Sequence, residues 1–120
     1  MTFISSQRVW IDEQFIPATL KLEDGKITEI HNGILENSQF YENARIIPGL
    51  IDVHTHGYAG GDASDGDPET LRVWQRYLPQ EGVTSFLPGT VTRSEPRIIQ
   101  ALQAIRTVIE EKNEDGAHIP

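Results

Sequence analysis

Apolar and polar positions alternate along the first third of the chain. In Ala18-Thr19-Leu20-Lys21-Leu22-Glu23 every second residue is apolar, the period of a strand with one buried face. Asp24-Gly25 follows, a strong hairpin signal, because glycine takes a positive φ without steric cost. Ile27-Thr28-Glu29-Ile30 then returns as a strand. Upstream, Arg8-Val9-Trp10-Ile11 predicts another strand, Asp12-Glu13-Gln14 a polar turn, and Phe15-Ile16 a resumption. Residues 31–43 are polar, with Asn32-Gly33 as a further turn. The pattern predicts a small antiparallel sheet with one wet face.

The character changes at Ala44. Pro48-Gly49 interrupts the chain, and Leu50 to Val53 forms a short apolar run, predicted as a parallel strand buried on both faces. After Gly57-Tyr58-Ala59-Gly60-Gly61, a helix is predicted: Asp67 as N-cap, Pro68 at the first helical position, and Glu69 suited to the positive helix end. Leu71, Trp74 and Leu78 share one face, with Tyr77 beside them; Trp74, Tyr77 and Phe86 are expected in the core. Pro79 belongs in or just after the last turn, and Gly82 terminates it. Val83 to Leu87 is the next apolar strand, ended by Pro88-Gly89-Thr90. A second helix opens near Ser94-Glu95-Pro96, with Ile98, Leu102, Ile105 and Ile109 as its apolar stripe, and Ala117 to Pro120 begins a third strand.

Strand–helix–strand–helix order demands a parallel sheet with crossover connections. Two such units leave strand edges and helix faces without partners. The expected fold class is therefore α/β and incomplete: residues 1–47 supply strands of a small sheet, and residues 48–120 supply the first two βα units of a larger structure.

Composition narrows the function. The 120 residues carry 10 basic and 18 acidic groups, a net charge of −8. The deficit is shared evenly, with four basic and eight acidic groups in residues 1–60 and six and ten in residues 61–120. No basic face invites nucleic acid or anionic lipid. There is no cysteine, so a metal would have to use His, Asp or Glu. The first residues lack the cationic and apolar regions of a signal peptide, and no apolar run reaches the ~20 residues of a membrane span. A cytoplasmic protein is expected.

The main chemical feature is His54-Thr55-His56. On a strand, positions i and i+2 face the same way, so two imidazoles can converge on one cation. Asp52 shares their parity and could orient a ligand. The pair is nevertheless only two ligands, and His-x-His also occurs without a metal. His31 reads as a surface residue and His118 as structural. Asp62, Asp65, Asp67 and Glu69 miss the spacing of a calcium loop and read as a solvated loop with a helix cap. Gly57, Gly60 and Gly61 fit no phosphate-loop spacing; they suit either a backbone close to a substrate or a plain turn.

Pro48-Gly49-Leu50-Ile51-Asp52-Val53-His54-Thr55-His56-Gly57 resembles the first-strand motif of the amidohydrolase superfamily. Leu22 to Ile30, with its Gly25-Lys26-Ile27 turn, resembles that superfamily's N-terminal β segment. Gly57 to Asp62 and Gly82 to Thr92 resemble the N-acetylglucosamine-6-phosphate deacetylases within it. The resemblance covers essentially the whole chain. It implies a (β/α)8 barrel carrying a small β-sandwich, of which this chain holds the beginning. It also implies a cytoplasmic, homodimeric parent that hydrolyses the acetamido group of an amino-sugar phosphate to acetate and glucosamine 6-phosphate. The implied cofactor is a divalent metal, zinc or iron, as one or two ions. His54 and His56 match the first-strand ligand positions. The remaining ligands, a catalytic carboxylate and the phosphate-binding residues are expected beyond Pro120, so the chain alone is expected to be inactive and to hold no catalytic residue. The alternatives are another amidohydrolase, such as a cyclic amidase or deaminase, or a small non-catalytic metal-binding or self-assembling protein.

Overall fold

At Asp24-Gly25 the backbone takes φ values of 50° and 72°, the paired positive φ of a tight hairpin. It joins strand β2, Gln14–Glu23, to β3, Lys26–Asn32, in antiparallel register with Leu20 opposite Ile30. A second two-residue turn at Asp12 and Glu13, also with positive φ, joins β2 to β1, Thr2–Ile11. This is a computed structural model, and it describes residues 1–113 and 115–120. The described residues fall into two units, Met1–Pro48 and Gly49–Pro120.

In Met1–Pro48 the sheet order is β3-β2-β1-β4, where β4, Gln39–Phe40, runs parallel to β1. The sheet is thus mixed rather than purely antiparallel. β1 is longer than its apolar pattern suggests, because Ser5 and Ser6 are buried. The Ser5 and Ser38 hydroxyls bond each other at 2.6 Å, and Ser6 Oγ donates to the Ala44 carbonyl at 2.6 Å. A buried hydroxyl with a partner carries little desolvation cost. Val9, Ala18 and Leu20 form the small core, backed by Ile4, Ile11, Ile16 and Ile46.

In Gly49–Pro120, strand β5, Leu50–Thr55, pairs parallel with β8, Val83–Pro88. Between them run a short hairpin of β6, Gly57–Tyr58, and β7, Gly61–Asp62, then α1, Pro68–Tyr77. The Asp67 carboxylate accepts from the Glu69 amide at 2.9 Å, so the predicted cap is in place. A 3-10 turn over Leu78–Glu81 absorbs Pro79, and Gly82 ends it with φ of 82°. Helix α2 is Glu95–Glu110. Beyond it His118 lies against the far side of β8: its amide donates to Thr84 O at 2.8 Å, and Phe86 donates to His118 O at 2.9 Å. The core joins Leu71, Trp74, Leu78, Phe86, Val108, Ala117 and Ile119. The rings of Trp74 and Phe86, both fully buried, lie 5.8 Å apart.

Three expectations need correction. The apolar run of β5 is not buried on both faces: Leu50 is 50%, Ile51 65% and Val53 68% exposed, so among the described residues neither face of the strand is fully covered by a packed layer. Tyr77 is 47% exposed rather than core, one step off the face carrying Leu71, Trp74 and Leu78. Helix α2 buries Ala101, Ala104 and Val108, whereas Leu102 is 55% exposed. The buried residues border Ile105, which packs against the same core, so the apolar surface faces inward along the edge that carries the alanines. No helix among the described residues is long and apolar enough to cross a membrane.

Candidate functional site

The end of β5 and the residue after it carry both histidines on one side of the strand, as the two-residue period requires. Their Nε2 atoms stand 3.1 Å apart, with ring centroids at 4.6 Å and planes nearly perpendicular at 84°. Asp52, two residues earlier, turns its carboxylate to the backbone and accepts from the His54 amide at 3.1 Å. Its contact is therefore with the strand that carries the ring, not with an imidazole nitrogen.

The other wall is the end of β8. Gly89 donates its amide to Thr55 O at 2.7 Å, and its carbonyl lies 2.8 Å from His56 Nδ1. The ends of the two parallel strands are thus tied together around the pair. In the sequence Pro88-Gly89 marks a strand end within the Gly82–Thr92 stretch and gives no sign of a contact with His56. Neighbouring parallel strands end at one level, but the register that aligns Gly89 with His56 is a tertiary fact.

The glycine loop is ordered by pairing. Gly57 and Tyr58 sit opposite Asp62 and Gly61, with Ala59 and Gly60 at positive φ between them, and Ala63 donates to His56 O at 2.8 Å. A Cβ on Gly61 would lie 2.5 Å from Thr70 Cγ2, so a side chain there would require Thr70 on α1 to rotate. Asp62 and Asp65 form a reciprocal cap on the 3-10 turn Ala63–Asp65. The Ser64 amide, donating at 2.7 Å, holds the Asp62 carboxyl below its usual value, with smaller help from Arg93 and His56. The acidic residues here serve as caps.

The other two histidines do not join the pair. His31 Nε2 lies 3.2 Å from the Glu29 carboxylate, and His118 is held through its backbone against β8. Among the described residues no three metal-capable side chains gather. The site brings together two convergent imidazole nitrogens at the C-terminal ends of a parallel strand pair.

No family model matches the chain. The chain is 36% identical over 86 residues to N-acetylglucosamine-6-phosphate deacetylase of Bacillus subtilis (strain 168), covering 68% of this chain and 22% of that protein. It is 35% identical over 97 residues to N-acetylgalactosamine-6-phosphate deacetylase of Escherichia coli O157:H7, covering 80% of this chain and 24% of that one. In three dimensions it resembles a crystal structure of N-acetyl-D-glucosamine-6-phosphate deacetylase from Mycobacterium smegmatis, with a TM-score of 0.78 at 17% identity, over 99% of this chain and 35% of that chain. The chain spans about a quarter of the length of these curated relatives. By these likenesses the chain belongs to the N-acetylglucosamine-6-phosphate deacetylase family and corresponds to an N-terminal portion of it.

Proposed function

We propose that the chain is the opening part of a longer metal-dependent deacetylase that hydrolyses the acetamido group of N-acetylglucosamine 6-phosphate. In this reading residues 1–47 contribute to a β-sandwich and residues 48–120 open a (β/α)8 barrel. The chemistry of barrel enzymes sits at the C-terminal ends of the strands, where β5 and β8 carry His54, His56 and Gly89.

The observation that carries the proposal is the convergence of the two Nε2 atoms. Two nitrogens bound to one zinc at ~2.0–2.1 Å stand about 2.9 Å apart at a right angle and about 3.4 Å apart at the tetrahedral angle. The 3.1 Å between His54 and His56 lies within that interval. The residues present therefore fit a divalent cation, zinc or iron, alone or as one of two ions. When bound, such an ion polarises the amide carbonyl and lowers the pKa of a water at the site. Asp52 steadies the strand beneath His54, Gly89 orients His56, and Gly57, Gly60 and Gly61 leave backbone without side chains at three positions of the loop beside the pair. The further ligands and the general base come from outside the chain. The same reading makes the parent a cytoplasmic homodimer acting on a small molecule, with neither nucleic acid nor membrane as partner.

The test has two parts. Titration of the chain with Zn²⁺ by calorimetry should show binding that His54→Ala and His56→Ala each abolish; equal heats from all three proteins would refute the ligand assignment. The reading frame extended past Pro120 should release acetate from N-acetylglucosamine 6-phosphate faster than from N-acetylgalactosamine 6-phosphate. The 120-residue chain should release none, and turnover by it would overturn the division of labour stated here.

A further inference from the structure

The imidazole pair is asymmetric, and hydrogen-bond counting shows how. A carbonyl oxygen only accepts, so across the 2.8 Å to Gly89 O the Nδ1 of His56 must donate. A neutral imidazole carries one N–H, which leaves the Nε2 of His56 bare. That bare nitrogen faces His54 Nε2 at 3.1 Å. A hydrogen bond there needs one proton, and His54 is the ring left to supply it. No side-chain bond among the described residues fixes the Nδ1 of His54. Gly89 is itself held, through its 2.7 Å bond to Thr55 O. A Cβ there would lie 3.5 Å from His56 Nδ1 and Cε1 and 3.6 Å from His54 Cε1, in ordinary van der Waals contact with both rings, so a larger side chain at this position would grow from beside the pair.

We infer that Gly89 is the positioning residue of the pair: its carbonyl presets His56 to ligate through Nε2, while His54 in the metal-free chain holds its proton on the very nitrogen that must ligate. Loading the site then requires His54 alone to move its proton from Nε2 to Nδ1, through solvent and without change in charge. His56 needs no such exchange. The inference about loading rests on the proposed metal reading. The hydrogen bond from His56 to Gly89 does not.

Long-range ¹H–¹⁵N correlation on the full chain, above the pH at which imidazoles are protonated, distinguishes the two tautomers of each ring. Without metal, His56 should show a protonated Nδ1 and a bare Nε2, and His54 the reverse. With Zn²⁺, His54 should switch and His56 should keep its pattern. A protonated Nε2 on His56 in the metal-free chain overturns the inference, even if zinc binds. If zinc changes neither ring, the metal reading falls while the assignment to Gly89 stands on the metal-free spectrum. As a second probe, Gly89→Val should weaken Zn²⁺ binding about 10–100-fold, the usual consequence of disturbing a group behind a metal ligand, and should abolish the tautomer bias of His56. An unaltered His56 spectrum in a folded Gly89→Val chain would also overturn it. Should that variant not fold, the wild-type spectra decide alone.

Discussion

Gly49 immediately precedes β5, and its lack of a side chain is enforced by Thr84 on the neighbouring strand. A Cβ built at position 49 would lie 2.1 Å from Thr84 Oγ1, 2.2 Å from Cγ2 and 2.6 Å from Cβ. Rotating the threonine moves the first two atoms but not the third, which is fixed to the backbone. Relief therefore needs β5 and β8 to separate by close to an ångström, towards the 3.4 Å at which ordinary contact begins. Overpacking of this kind costs about 1–3 kcal/mol, so Gly49→Ala should lower stability by that amount. Thr84→Gly alone should cost about 1 kcal/mol for lost strand propensity, but it removes the obstacle. In the double variant the two losses should fail to add, by about 1–2 kcal/mol. Urea unfolding followed by the fluorescence of Trp74, in a Trp10→Phe background, reports on the unit concerned, since the chain has two tryptophans. A coupling below about 0.5 kcal/mol, the scatter of independent sites, would show that strand contact is not what forbids a side chain at 49.

Asp67→Ala removes the cap on α1, where the carboxylate accepts from the Glu69 amide at 2.9 Å; a loss of about 1 kcal/mol is expected in the same urea assay, and an unchanged midpoint would refute the cap's role. Arg72 donates through Nε to Glu111 at 3.0 Å, and this bond holds the Glu111 carboxyl below its usual value near 4.5. A carboxyl depressed in the folded state contributes stability that is present above the unfolded value and lost as pH falls through the folded one. Glu111→Gln should therefore flatten the decline in urea midpoint below pH 4.5 while lowering the neutral-pH midpoint slightly, and parallel acid limbs would refute the pairing.

Much of this architecture was legible because local chemistry decides it. Asp24-Gly25 turns, Asp67-Pro68 starts a helix and Gly82 stops one, each for a backbone reason that acts within a few residues. What failed depended on partners elsewhere in the chain. Of the apolar stripe Ile98, Leu102, Ile105 and Ile109 on α2, Ile105 packs against the core and Ile98 is half-buried, whereas Leu102 and Ile109 are exposed and full burial goes to Ala101, Ala104 and Val108, because periodicity identifies an apolar stripe without saying which edge of it finds a neighbour. Leu50 to Val53 read as covered for the same reason, and β4 went unseen because two residues carry no period. At the candidate site, strand parity placed the two imidazoles together. It could not reveal that Asp52 would bond a backbone amide, or that a carbonyl from β8 would hold His56.

Among the described residues of the second unit, β8 is the one strand bonded along both sides, by β5 and by the segment at His118. Phe86, at its centre, is locked into the core, and Gly89 follows three residues later. The His56 ring is thus bonded to a carbonyl that follows a strand anchored in the core by Phe86. A shift of β8 would be transmitted through one carbonyl to the gap between two nitrogens. Replacements in the core beneath β8 would then act as errors of alignment at the strand mouth, even where the backbone trace is unaltered.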